Sequence, residues 1–539
     1  MKGQKLLLVI LLVAVFLRFY KLDAYPVSLS WDEAAIGYNA YSIAQTAKDE
    51  YGQKLPVLFK SFNDYKLPGY IYIDSIFIKL LGLSEFSTRL PSALFGILAV
   101  LLIYALTKKL FQDSSLKNIA LLAMFFTAIN PWHLQLSRVA FEANVALSVV
   151  LGGMVMLLWG RQSKIWALLS IQVLASSIYF YYSPRIFVPA ILIIFFLIFR
   201  KEILPNLKSY LIGFGISIMI LIPMITAIFS SQGTKRIREV SIFANRALII
   251  DYVDARATSS NFLSGIFLNR RVPISFEALH NYLSHFSFGF LFFGDDPNPR
   301  HRSAYQGNFY IFEIPLLLFG VWLIFKFKDA KIRYFLLIWL LLAPIPAALS
   351  GEAPHGLRSS IMIPPLVILI SLASANLIER WDKFKIALGT IVLVMFIINY
   401  LYSYYLLYPQ RDNLSWAYGY RQLFKNLTPR EKNYDRIIVT GYQWKPYIFY
   451  LFYNRTDPTF YQTDGSQLAI DKYRFGTTGW DGGRGLTDEE IERLKGNRTL
   501  LVVSPDELEN LKDKGKFVKL TAISDYSGKK DVFVVGEWQ

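Results

Sequence analysis

KLLLVILLVAVFLRFYKLDAYPVSLSWDEAAIGYNAYSIAQTAKD, residues 5–49, begins with an apolar run from Leu6 interrupted by Arg18 and turns, past Tyr20, into a polar segment that carries the acidic pair Asp32-Glu33. A membrane crossing needs about 20 largely apolar residues to cover about 30 Å of hydrocarbon, and the run from Leu6 is near that length. No small-residue cleavage site follows it, because the chain continues FLRFYKLDAYP, so it reads as a retained span and not as a removed leader. Ten further stretches of similar character, a few of them short, start near Pro91, Ile119, Phe141, Trp166, Ile186, Tyr210, Phe309, Tyr334, Ile361 and Ile386, and the last ends near Tyr408. Composition points the same way: 539 residues with 54% hydrophobic, 16% aromatic and 18% charged side chains do not form one water-soluble core. The expected class is an α-helical polytopic membrane protein with about eleven transmembrane helices.

Basic residues in short connections favour the cytoplasm because cations resist translocation. With the N-terminus inside, the inner segments hold Lys2 and Lys5, then Lys108, Lys109 and Lys117, then Arg161 and Lys164, and so on through Arg380, Lys383 and Lys385. Each of the three short outer connections holds a single arginine: Arg138, Arg185 and Arg358. This split places residues 23–88, 230–308 and 409–539 outside the cell membrane. Much of the net charge of +17 then marks the cytoplasmic face and the anionic lipid beside it, and nucleic acid is not indicated. The absence of cysteine removes disulfides, thiolate metal sites and a cysteine nucleophile.

Outer segments of this length carry structure or function of their own. In the first, residues 30–49 read as an amphipathic helix and PGYIYIDSIFIKLLGL (residues 68–83) as a second, both along the membrane surface. Asp74 and Lys79 interrupt the second, and a crossing there would reverse the charge assignment downstream. After Tyr408 the pattern changes to helical segments alternating with the β-rich runs RIIVTGY, TLLVVS, FVKLTAI and DVFVVGEW. Residues 409–539 therefore read as a small extracytoplasmic α/β domain, following a membrane domain of residues 1–408. Two of its acidic stretches, Thr487–Glu490 and Ser504–Glu507, have the form of helix caps.

Chemistry at a membrane surface needs carboxylates and cations, and the outer segments supply both. Ser30-Trp31-Asp32-Glu33 fits a capping box, in which Glu33 reaches back to a free amide, while Asp32 in the first turn is placed to accept a proton from a hydroxyl. In KLPGY (residues 66–70), Lys66 precedes a proline that can start a helix, so a phosphate would find a positive charge and free amides together. A lone lysine is more commonly a snorkelling one. Arg138, Arg185 and Arg358 stand against the positive-inside bias, and arginine's forked donors suit phosphate oxygens. A structural pair such as Arg138 with Glu142, one helical turn on, is the competing use. All five histidines, His133, His280, His285, His301 and His355, also fall in outer segments without metal-binding spacing. With Asp295-Asp296 in GDDPNPRHR a divalent metal is possible, but none is expected to be obligatory. The aromatic stretch NYLSHFSFGFLFFGDD reads as a membrane anchor.

Together, WDEAAIGYNAYSI after the first span, KLPGY before an interfacial helix, NPWHLQLSRVAFE, and PHGLRS before the tenth span resemble the membrane glycosyltransferases of the GT-C fold. The nearest type is family 39, the bacterial relatives of protein O-mannosyltransferase and of the lipid A aminoarabinose transferase. The likeness covers roughly residues 1–410. It implies a bacterial plasma membrane location, a polyprenyl-phosphate sugar as donor, an extracytoplasmic active site, and inverting transfer to an acceptor glycan, lipid or protein. Under that resemblance Asp32 is the base or acceptor-orienting acid with Glu33 beside it, Lys66 binds the donor phosphate, and Arg138 and Arg358 are further phosphate ligands; Arg185 joins the phosphate-binding candidates on its place in an outer connection alone. The chain departs from the pattern at Tyr65, where the relatives have an acid, and Asp64 stands next to it; Asp64, Tyr65, Glu142 and His355 are supporting candidates. The alternative is a flippase or transporter of a lipid-linked sugar, against which the spans hold few ionisable residues, Arg18 the main one.

Overall fold

The computed structural model describes residues 2–62, 64–114, 116, 118–230, 233, 241–244, 250, 271–303, 305–441, 445–476, 498–511 and 517–538. Much of the outer segment 230–308 and the capping pattern expected at Thr487–Glu490 lie outside these residues. Two compact units form: a helical unit of residues 1–20 and 92–403, and a mixed unit of residues 21–91 and 404–539.

Each of the eleven apolar stretches read from the sequence is helical. In chain order they fall on α1 (Lys2–Phe19), α4 (Glu85–Leu110), α5 (Ile119–Ile129), α7 (Glu142–Gly160), α8 (Lys164–Ser176), α9 (Pro184–Ile198) and α10 (Leu207–Phe229), then on helices Glu313–Phe325, Ala330–Leu342, Ile363–Arg380 and Lys383–Tyr402. By length and apolarity six described helices can cross a membrane, or seven if α5 and the short α6 (Pro131–Ser137) are one span bent by 59°. Lys164–Tyr179, Pro184–Ile198 and Glu313–Phe325 are apolar but shorter. This is an integral membrane protein.

The α5–α6 break shows how the helical unit handles backbone that a membrane cannot solvate. Asn130 ends α5, caps α6 by accepting the His133 amide at 2.9 Å, and is followed by Pro131 at the first helical position. The break orphans the last carbonyls of α5, and in a dry interior each needs a partner. Arg18, fully buried, supplies it: its guanidinium donates to the carbonyls of Thr127 (3.3 Å) and Ala128 (3.1 Å) and to Ala14, and lies 2.7 Å from His133 Nδ1. Ile10 and Ala14 of α1 pack beside it against Val100, Met124 and Ala128.

In the mixed unit, α2 (Trp31–Thr46) and α3 (Pro68–Leu81) form where amphipathic helices were expected, joined through a short antiparallel ribbon of β1 (Phe59–Ser61) and β2 (Asp64–Lys66). All four β-rich runs of the tail are strands. β3 (Arg436–Val439), β4 (Ala469–Ile470), β5 (Tyr473–Phe475), β6 (Thr499–Val503), β7 (Phe517–Ser524) and β8 (Asp531–Trp538) make one sheet in the order β4-β5-β3-β6-β8-β7. β3 runs parallel to β5 and β6, whereas β8 pairs antiparallel with both β6 and β7. Parallel neighbours need crossovers, and helices Pro446–Tyr453 and Pro458–Asp464 lie between β3 and β5, while Pro505–Leu511 lies between β6 and β7. Ser504 and Glu507 form the capping box read from the sequence, amide to side chain in both directions (2.7 and 3.2 Å).

Candidate active site

The first turn of α2 sets the site. Ser30 caps the helix: its hydroxyl accepts the Glu33 amide and its own amide donates to Glu33 Oε2 at 3.0 Å, completing the expected box. Glu33 is 1% exposed, and its carboxylate also meets Arg89 of α4, Nε to Oε1 at 2.9 Å and Nη2 to Oε2 at 3.3 Å. Arg89 then spends its remaining donors on the carbonyls of Leu22 (3.1 Å), Pro26 (2.9 Å) and Ser28 (2.6 Å). Glu33 and Arg89 thus hold the loop that delivers the chain into α2.

Asp32, one residue earlier, faces elsewhere. Lys66 Nζ donates to its Oδ1 at 2.6 Å, with the lysine side chain 12% exposed and the aspartate 40%. Lys66 is the last residue of β2, paired with Phe59 across the ribbon, so a β-ribbon and not a flexible loop carries the cation. Directly after it, α3 opens with Pro68 and no side chain caps its N-terminus. Cation and helix N-terminus lie together as the KLPGY motif anticipates, which is an arrangement that favours anionic oxygen. Asp64 and Tyr65 share the strand; Asp64 Oδ1 accepts the Tyr65 amide at 2.7 Å.

The other candidates belong to the helical unit. Arg138, 1% exposed, donates to the carbonyls of Leu17 (2.7 Å), Arg18 (3.2 Å) and Tyr20 (2.8 Å), closing the C-terminal end of α1. Glu142 stands at the first turn of α7. Arg185 lies 4.4 Å over the Tyr182 ring at the start of α9, and its Nε is buried without a hydrogen-bond partner. Arg358 is tied by its carbonyl, which accepts the Ser183 hydroxyl at 2.6 Å, and its Nη1 is likewise buried and unpartnered.

Next to Arg358 the rings of His285, His301 and His355 cluster together. His285 Nε2 accepts the His355 amide at 3.1 Å, the His355 and His301 rings lie tilted with centroids 4.5 Å apart, and His301 Nδ1 meets Asp296 at 3.2 Å. Asp296 also accepts the Gly356 amide at 2.6 Å, and the Gly356 carbonyl accepts Trp132 Nε1 at 3.0 Å. Burial pushes His285 down to about 4; burial and then Arg358, His301 and His285 hold His355 well below the ordinary histidine range. Among the described residues no group of three or more His, Cys, Asp or Glu is arranged to hold a metal ion.

Sequence reasoning missed Arg89, because it sits between the outer segment, taken to end at residue 88, and the span taken to start near Pro91. A cation at an outer span boundary is the signal that marks it. It also read Arg138 as an anion ligand, without a way to see the backbone carbonyls that occupy it.

The sequence profile of the dolichyl-phosphate-mannose-protein mannosyltransferases matches residues 66–226. No curated protein matches the sequence. Among solved structures, apo ArnT from Cupriavidus metallidurans is 13% identical, with 99% of this chain and 98% of that one covered at a TM-score of 0.54. The same protein bound to undecaprenyl phosphate gives 13% identity, coverages of 98% and 97%, and a TM-score of 0.52. AglB from Archaeoglobus fulgidus, in complex with an inhibitory peptide and a dolichol-phosphate, gives 14% identity over 83% of this chain and 63% of that one, at a TM-score of 0.47. At 13% identity the likeness to ArnT is one of fold. The chain has the GT-C fold seen in ArnT, and its residues 66–226 are similar to the protein mannosyltransferases.

Proposed function

We propose that this protein is a membrane glycosyltransferase that moves a sugar from a polyprenyl-phosphate donor to an acceptor hydroxyl or phosphate on the extracytoplasmic side, with inversion at the anomeric carbon. The observation that carries the proposal is the Lys66–Asp32 pair at 2.6 Å beside the uncapped N-terminus of α3. A partly exposed pair is weakly held, so a phosphate can take over the ammonium and release the carboxylate for the acceptor. The acceptor oxygen then attacks the anomeric carbon and its proton passes to Asp32. The bond from that carbon to the phosphate oxygen breaks, and the lipid phosphate leaves as an anion against Lys66 and the α3 amides. Glu33 keeps α2 in place, and Arg138 does the same for the end of α1. Within the helical unit Arg185 and Arg358, each with an unpartnered buried N–H, are proposed as anion ligands. ArnT, whose fold this chain shares, has been solved with undecaprenyl phosphate bound, which supports a polyprenyl-phosphate ligand here.

The test is release of polyprenyl phosphate by purified protein from synthetic polyprenyl-phosphate mannose, glucose and arabinose donors, with a cell-envelope extract supplying acceptors and Asp32→Asn as control. Release that depends on Asp32 supports the transferase and narrows the sugar. Folded protein that releases nothing from any donor overturns it in favour of movement of a lipid-linked sugar without bond making.

A further inference from the structure

α2 is fastened to the tail at both ends and in the middle, and we propose that residues of the tail position the Asp32 carboxylate; this rests on Asp32 acting as proposed above. At the entry to α2, Tyr453 donates to Glu85 Oε1 at 2.7 Å and lies 3.5 Å from the hydroxyl of Ser28, two residues before the helix cap. Arg421 donates through Nε to the same Glu85 oxygen at 2.9 Å and through Nη2 to the Asp23 carbonyl at 3.4 Å. Glu85 opens α4 one turn before Arg89, so the entry loop is held by Arg89 from one end of that turn and by the tail at the other. In the middle of α2, a methyl on Gly37 would stand 2.6 Å from both Phe452 Cε2 and Thr88 Oγ1, so only glycine lets the tail approach this closely, and Tyr38 donates to the Thr456 carbonyl at 3.1 Å. At the far end Gln462 Nε2 reaches Ser42 Oγ (3.0 Å), Thr46 Oγ1 (2.9 Å) and the Asp49 carbonyl (3.1 Å).

Ordinary packing of a domain on a loop buries apolar surface. Here the apolar contact of Phe452 at Gly37 is joined by polar tail side chains that donate to the helix and to its entry. Productive geometry tolerates errors of only about 0.5 Å, and a displacement of about 1 Å arising far from the chemistry can cost about 100-fold. Tyr453, Arg421 and Gln462 act through α2 and are positioning residues, not catalytic ones.

The test compares the full-length protein with Tyr453→Phe and with Tyr453→Phe/Gln462→Leu. Three quantities are read: kcat and donor KM with whichever of the three synthetic donors the parent uses fastest, binding of undecaprenyl phosphate, and amide hydrogen exchange of residues 31–46. The double variant should lose kcat about tenfold, keep KM and lipid-phosphate binding within about twofold, and exchange the α2 amides about tenfold faster. Unchanged kcat together with unchanged exchange overturns the inference. If the double variant does not fold, Tyr453→Phe, which removes one hydroxyl, decides by the same readings. Asp32→Asn run in parallel separates the two ideas. An inactive Asp32→Asn with clamp variants equal to the parent sinks the positioning role alone, whereas an active Asp32→Asn sinks the catalytic reading and leaves exchange at residues 31–46 to judge the clamp.

Discussion

Asp32 and Glu33 are neighbours on one helical turn, each is paired with a cation, and the two pairs differ in nearly everything else. Glu33 with Arg89 is closed from water at 1% and 0% exposure and is braced by four backbone groups, while Asp32 with Lys66 is 40% and 12% exposed. A buried pair cannot exchange partners without stranding a charge in a dry interior. A half-exposed pair can, since water shares the cost of separating it. On the reading proposed above, the adjacent carboxylates divide the work: Glu33 fixes the helix and Asp32 meets the substrate. An acidic dyad in a sequence need not mean two catalytic acids.

The comparison breaks most sharply at Asp32. Asp32→Asn keeps shape and removes the proton acceptor, so turnover should fall by about 10²- to 10⁴-fold while the melting temperature stays near the parent's. Residual activity within tenfold of the parent would place the base elsewhere. Glu33→Gln should behave in the opposite manner. It leaves Arg89 charged and buried without its counterion, at a cost of about 3–5 kcal/mol, and the loss should appear in thermal unfolding and yield before it appears in kcat. The double variant Glu33→Gln/Arg89→Met, which removes both charges, should regain part of that stability. A Glu33→Gln protein as stable as the parent would mean that the buried pair does not hold the entry loop.

Lys66→Met sharpens the same contrast on the cation side. The change preserves the stem, so β1–β2 should persist, and one stabilising contact to the leaving phosphate is lost. A fall of about 100-fold in kcat/KM, with a raised KM for donor, is expected in steady-state release of polyprenyl phosphate. Should kcat/KM hold within a few-fold, phosphate binding would rest on other cations.

How much of this was legible beforehand depended on whether the partner is local. The apolar runs, the Ser30 box, the Ser504 box and the β-rich runs of the tail are short-range patterns, and each appears in the structure where the sequence puts it. Lys66 beside a proline-started helix is local as well. Arg89 was invisible because its carboxylate is 56 residues away, and a single boundary residue carries no periodicity. The partners of Arg18 and Arg138 were hidden for a different reason. They are carbonyls exposed by the end of α1 and the break at Asn130, and backbone oxygen has no residue type to read. Nor does any short-range pattern reveal that residues 21–91 join 404–539 in one compact unit. That grouping is made by contacts such as Gln462 to Ser42, whose members are hundreds of positions apart.

A third acid of the mixed unit tests the rule in its weakest form. Glu50, fully buried just past α2, has Lys60 only at a distance in place of an arginine; burial and then Asp49 push its carboxyl up to about 8, against smaller opposing pulls from Asn39 and Tyr51. Below the ordinary glutamate range both folded and unfolded chains hold this proton. Between about 4.5 and about 8 the folded protein holds it and the unfolded chain does not, so unfolding releases a proton and rising pH weakens the fold. The melting temperature of the parent should therefore drop by a few degrees across that window, and Glu50→Gln, neutral throughout, should flatten the slope and melt higher at pH 8. Equal slopes in the two proteins would show that Glu50 is ionised when folded. A cation would then have to reach it, and Glu50 would join Glu33 as a paired buried acid instead of standing apart as a protonated one.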